Sequence, residues 1–290
     1  MKPFLISEIQ TSDGIIHHGM YFCPKKRGKR AFLWIHGLTS NFYSSIKRID
    51  EIVTLCDTFG IGFASFNNRG HDMLASAHRL DKKSKSGYSY TTVGSGVEHF
   101  EESIYDIEAS IAFLVSKGFT EIFLIGSSTG ANKAVYVSTS SRNPNIKGVV
   151  LLSPLSDRLT ANIAFHKKLY LHLLQLLGLG ERLITTSAYF PGTVNRFLSL
   201  ISKRSQEDVF DYGDSEPCLE RFSRILQPLL VIFGEEDTLA DRDIATIKKQ
   251  FDSHQKSSSY KSVIISDANH GFDGKEKILA KCIIEWMKGL

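Results

Sequence analysis

The sequence predicts an α/β protein: a mostly parallel central sheet with helices on both faces and a single helical cap insertion. Two observations predict it. Short apolar runs alternate with longer stretches of helical periodicity along most of the 290 residues. That rhythm stops once, between residues 159 and 224, where the chain reads as helical and aromatic with no clear strand. Residues 1–158 and 225–290 are therefore expected to form the core domain, and 159–224 the cap. A hydrophobic content of 42% supports a sizeable core, and a charged content of 23% is ordinary for a folded chain.

The elements follow from the pattern. Residues 15–23 read as an early strand and 31–36 as a buried one. Ile46, Ile49, Ile52, Val53 and Leu55 place a helix over 41–58, and a strand follows at 61–67. The stretch 69–97 is polar and has no clear periodicity. Ile104, Ile107, Ile111 and Leu114 share one face of a helix over 100–117. A strand at 121–126, a helix at 129–140 and a strand at 146–153 precede the insertion. After it come strands at 228–234 and 260–266, each followed by a helix, 241–253 and 275–288.

Composition excludes several functions. The net charge of +4 is spread along the chain, and the densest basic cluster, Lys25 to Arg30, reads as a solvated turn, so no nucleic-acid partner is expected. Cys23, Cys56, Cys218 and Cys282 show no CxxC spacing, and the N-terminal residues carry no apolar signal segment, which points to reduced thiols and a cytoplasmic protein. No apolar run reaches the ~18 residues of a membrane helix. No metal-ligand spacing appears, and no cofactor is expected. The sequence is silent on oligomeric state.

The chemistry begins at Gly126-Ser127-Ser128-Thr129-Gly130. This is G-x-S-x-G between an apolar strand and a helix, the context that gives the motif meaning. The residues two before and two after the serine must be small because they approach each other. Ser128 has the glycines in register and is the expected nucleophile, whereas Ser127 does not. The helix beginning at Thr129 presents backbone N–H groups beside it. His36-Gly37 ends an earlier strand, so Leu38 and Thr129 are the expected backbone donors of an oxyanion hole. His36 itself precedes the nucleophile and is read as shaping that loop.

The chain order Ser, acid, His then locates the partners. Asp237 falls just past the strand at 228–234 and is the expected acid, with Glu235, Glu236 and Asp157 as alternatives. His270 lies on the loop after the last strand and is the expected base. His17 and His18, being adjacent in a strand, face opposite sides, and His166 and His172 lie in the insertion.

These residues resemble the α/β-hydrolase superfamily over almost the whole chain, and Phe66-Asn67-Asn68-Arg69-Gly70-His71 is similar to its loop after the fourth strand. The chain also resembles a group that includes fungal siderophore esterases. That likeness rests on the elbow, on Ser153-Pro154-Leu155-Ser156-Asp157-Arg158, and on Arg196-Phe197-Leu198-Ser199-Leu200 leading to Glu207-Asp208-Val209-Phe210. The resemblance implies a serine hydrolase acting on a small-molecule ester through an acyl-enzyme. A thioesterase or acyltransferase, or a ligand-binding homologue without turnover, are the alternatives. Leu169, Leu171, Leu173, Leu174, Leu176, Leu177, Tyr189, Phe190 and Phe197 suggest an apolar lid.

Overall fold

The computed structural model describes residues 2–161, 163–185 and 190–290, so the Tyr189 of the expected lid lies outside the described residues. In chain order the N-terminal half comprises β1 (Leu5–Gln10), β2 (Ile16–Phe22), β3 (Arg30–Ile35), α1 (Ile46–Phe59), β4 (Gly62–Phe66), β5 (Ala75–Leu80), β6 (Tyr88–Val93), α2 (Ser103–Ser116), β7 (Glu121–Ser127) and α3 (Thr129–Ser140). The rest comprises β8 (Ile146–Leu152), α4 (Asp157–Ala161), α5 (Phe165–Leu176), β9 (Leu183–Thr185), β10 (Pro191–Thr193), α6 (Val194–Ile201), β11 (Leu229–Gly234), α7 (Ile244–His254), β12 (Tyr260–Ile265) and α8 (Glu276–Lys288).

One sheet runs in the order β1-β2-β4-β3-β7-β8-β11-β12. The pairs β1–β2 and β2–β4 are antiparallel, and every pair from β4 to β12 is parallel. This is the α/β-hydrolase fold, as expected. Burial on both faces explains why its strands lack polar alternation. Along β3, Ala31, Leu33 and Ile35 join the core cluster under α2, α3 and α7, while Phe32 and Trp34 join the cluster under α1 and α8. Along β7, Leu124 and Phe123 divide between the two clusters in the same way.

The structure departs from the sequence reading at three places. β1 pairs along the outer edge, and of its apolar residues Leu5 and Ile6 are exposed and only Ile9 is buried, so it shows too little of a buried face to read. The polar stretch after residue 69 holds β5 and β6, an antiparallel hairpin outside the main sheet that buries only Ala77 and Val93, against Ile15. Between β8 and β11, where no strand was expected, β9 and β10 form a three-residue pair. Of the six leucines expected in a lid, Leu171 and Leu174 are buried, Leu169, Leu173 and Leu176 are exposed on α5, and Leu177 is exposed just after it. Among the described residues, no helix is long and apolar enough to cross a membrane.

Candidate active site

Parallel strands deliver their following loops to one sheet edge, and here β3, β7, β8, β11 and β12 end together. Ser128 stands on the turn between β7 and α3 with φ 56° and ψ −131°, a left-handed conformation that costs a non-glycine residue energy and lifts its side chain off the sheet. The strain is held by close packing. A Cβ on Gly126 would meet the Gly130 carbonyl oxygen at 2.4 Å, and one on Gly130 would meet the Ile35 carbonyl oxygen at 2.2 Å. Both glycines of the motif are therefore steric necessities.

The loops after β11 and β12 bring the other two side chains to this serine. His270 Nε2 lies 2.9 Å from Ser128 Oγ, and His270 Nδ1 lies 2.7 Å from Asp237 Oδ2. The Asp237 carboxylate is fully buried, and its Oδ1 accepts the Leu239 N–H at 3.0 Å. Glu236 N–H donates to the Ala268 carbonyl at 2.9 Å, stitching the acid's loop to the histidine's loop. Ser153 Oγ, after β8, donates to the His270 carbonyl at 3.2 Å. Of the alternative acids, Glu235 and Glu236 are exposed, and Asp157 accepts from Asn132 Nδ2 at 3.1 Å, so only Asp237 meets the imidazole.

Leu38 and Thr129 flank the serine. A Cβ on Gly37 would lie 2.9 Å from the Ser128 Cβ, so the His36-Gly37-Leu38 loop sits directly against Ser128. Among the described residues, neither the Leu38 nor the Thr129 N–H donates to a group outside its own element. Leu38 lines a cleft of about 500 Å³ together with Ser128, His270, Arg48, Phe190 and Leu200.

His36 is buried behind this loop. Its Nε2 accepts the Asn68 N–H at 3.2 Å, so the ring proton sits on Nδ1 and is donated to the Gly37 carbonyl at 3.0 Å. Burial, with Lys133 nearby, pushes its pKa from 6.5 down to about 3. The folded chain thus keeps His36 neutral while the unfolded chain protonates it below 6.5. Stability from this residue is complete above 6.5 and is lost as pH falls toward 3. Between pH 8 and pH 5 the loss is about 2 kcal/mol. Urea unfolding of His36→Gln is expected to lack that part of the pH dependence, and equal slopes for both proteins would refute it.

The sequence reading missed the ionic framework under the site. Arg196 on α6 is buried between Glu98 and Glu207, with Nη2 at 2.9 Å from Glu98 Oε1 and 3.0 Å from Glu207 Oε1. Lys133, on the helix α3 that follows Ser128, reaches Glu98 Oε2 at 2.6 Å. Arg158 bonds Asp208 at 3.1 Å and Asp214 at 2.8 Å. The motifs quoted at 153–158, 196–200 and 207–210 are thus partners in space, which no local spacing discloses. On the other side, Arg69 and His17 share the buried Asp106, and these two partners hold its carboxyl well below the usual range.

A family model described as "Protein of unknown function (DUF1749)" matches residues 80–288. No curated protein matches the chain. Among solved structures it is similar to the Pyrococcus furiosus esterase Pf2001, at TM-score 0.61 and 18% identity, covering 99% of this chain and 91% of that one. It is also similar to the siderophore hydrolase EstB from Aspergillus fumigatus, at TM-score 0.67 and 14% identity, covering 99% and 98%. Est1E from Butyrivibrio proteoclasticus, with ferulic acid bound, aligns at TM-score 0.67 and 15% identity, covering 98% of each chain.

Proposed function

The chain belongs to the DUF1749 family, and from that premise we propose that it is a serine hydrolase cleaving a carboxylic ester through an acyl-enzyme, with Ser128 as nucleophile, His270 as base and Asp237 as the acid. One observation carries the reading: the unbroken hydrogen-bond chain from Ser128 Oγ through the imidazole to the buried Asp237 carboxylate. Two of these structural neighbours bear the names esterase or hydrolase, which agrees with it.

In this reading His270 Nε2 takes the Ser128 proton as Oγ attacks the ester carbonyl. Asp237 accepts the Nδ1–H and stabilises the imidazolium. The Leu38 and Thr129 N–H groups bind the tetrahedral oxyanion, each contributing about 3 kcal/mol. His270 returns the proton to the departing alcohol. Water, deprotonated by the same imidazole, then releases the acid and regenerates Ser128. The segment 159–224 acts as a lid, with Phe190 and Leu200 supplying the apolar wall of the cleft.

A fluorophosphonate is expected to label the wild-type protein at Ser128 and to leave Ser128→Ala unlabelled. Labelling that survives in Ser128→Ala would refute the assignment of the nucleophile. A panel of p-nitrophenyl esters and acyl thioesters then separates the esterase from the thioesterase reading.

A further inference from the structure

Resting on that reading, we propose that Arg48 is the anchor for a carboxylate on the substrate, so that the enzyme acts on esters bearing a free acid close to the scissile bond. Arg48 lies on α1 and lines the cleft beside Ser128 and His270. Its guanidinium stacks over the buried Trp34 ring, 5.3 Å from the centroid. Nη1 donates to Ser127 Oγ at 3.1 Å and Nη2 to Ser45 Oγ at 2.7 Å. The residue it bonds immediately precedes the nucleophile, so an anion held there sits next to the reacting carbonyl.

The charge balance sets Arg48 apart. Arg69, Arg158 and Arg196 are each held by at least two carboxylates. Among the described residues, Arg48 makes no ion pair, although its stem and ring face are packed and its head is fixed by two hydroxyls. Asp273 and Glu276 act on it only at longer range. A guanidinium does not give up its proton, and a partly buried one that lacks a counterion carries an uncompensated desolvation cost. Two of its five N–H groups are used, and the rest form the planar fork that fits a carboxylate.

The same balance selects the ligand. One fixed positive charge matches a carboxylate monoanion. A phosphate dianion would meet Arg48 alone, with Asp273 and Glu276 adding negative charge around it. The cleft that holds the polar Ser45, Arg48 and Ser127 is also lined by the apolar Leu38, Met73, Phe190 and Leu200. The substrate that fits both is an ester with one acidic and one apolar arm.

The test compares acids with their own methyl esters. Mono-p-nitrophenyl adipate carries the acid on the acyl arm, and 4-carboxyphenyl butanoate carries it on the alcohol arm. The wild-type enzyme is expected to show a kcat/KM at least tenfold higher for one of these acids than for its methyl ester, a loss typical of one charged hydrogen-bonded contact. Arg48→Met is expected to reduce that ratio by about tenfold or more, chiefly through KM. Arg48→Lys, which keeps the charge but not the fork, is expected to fall between and serves where Arg48→Met does not fold. A ratio unchanged by either substitution for both pairs, in protein that fluorophosphonate still labels, would overturn the anchor alone. Absence of labelling and of all turnover would overturn the hydrolase reading and the anchor with it.

Discussion

Asp237→Asn is expected to lower kcat for ester hydrolysis by about 10⁴-fold while leaving the fold intact. The reason lies in the second oxygen of the carboxylate. Oδ1 accepts the Leu239 N–H at 3.0 Å, and Oδ2 faces His270 Nδ1 at 2.7 Å. An asparagine keeps its carbonyl oxygen toward the Leu239 N–H, because that site needs an acceptor. Its amide NH₂ then faces His270 Nδ1. The imidazole must turn acceptor on that side, which moves its proton to Nε2. An Nε2–H cannot take the Ser128 proton across the 2.9 Å contact. The loss is therefore one of tautomer, with the geometry preserved. Glu236→Gln, one residue away on the exposed side of the loop, is expected to change kcat by less than about twofold, in line with ordinary surface substitutions. Steady-state kinetics decide the matter: a loss below about tenfold for Asp237→Asn would remove Asp237 from the proposed triad.

How much of this site could be read from sequence depends on the range of the forces involved. The elbow was legible because its requirements are local: Gly126 and Gly130 are demanded by contacts with backbone that the strand–turn–helix geometry always brings together. The position of His270 was legible because parallel strands deliver successive loops to one edge, so chain order substitutes for distance. The split between His17 and His18 followed from the two-residue period of a strand, and His17 is buried against Asp106 while His18 is exposed. What escaped was either weakly patterned or long-range. β1 and the β5–β6 hairpin bury few apolar residues, so hydrophobic periodicity has little to report. Arg48, Glu98 and Arg196 are single polar residues whose meaning lies in partners contributed by distant segments. Arg196 and Glu98 are separated by 98 positions, and no spacing rule spans that. Leucine density does not say which residues reach a ligand: α5 turns Leu171 and Leu174 inward, and the described residues of 159–224 that line the cleft are Phe190 and Leu200.

Arg196→Met is expected to destabilise the protein by about 3–5 kcal/mol, the range measured when one member of a buried ion pair is removed. Methionine fills most of the volume, so the effect isolates charge from cavity. Glu98 would keep Lys133, at 2.6 Å. Glu207 would lose its cation and keep the Ser199 hydroxyl at 2.9 Å, a neutral donor that cannot compensate a buried carboxylate. The Ser95 carbonyl, which accepts from Arg196 Nε at 2.8 Å, would be orphaned as well. The thermal midpoint is expected to fall by on the order of 10 °C, whereas Arg142→Met on the exposed surface is expected to move it little. A stability loss under about 1 kcal/mol would mean that water reaches Glu207 and that the cluster is not a closed network. The consequence extends to the cleft. Arg196 sits on α6, the helix that carries the cleft-lining Leu200, and its partner Glu98 is held by Lys133 on the helix that starts one residue after Ser128. The same ions therefore link the helix that carries Leu200 to the helix that follows the proposed nucleophile. Arg196→Met is accordingly expected to raise KM for long-chain esters more than for acetate esters, since only the former reach Leu200.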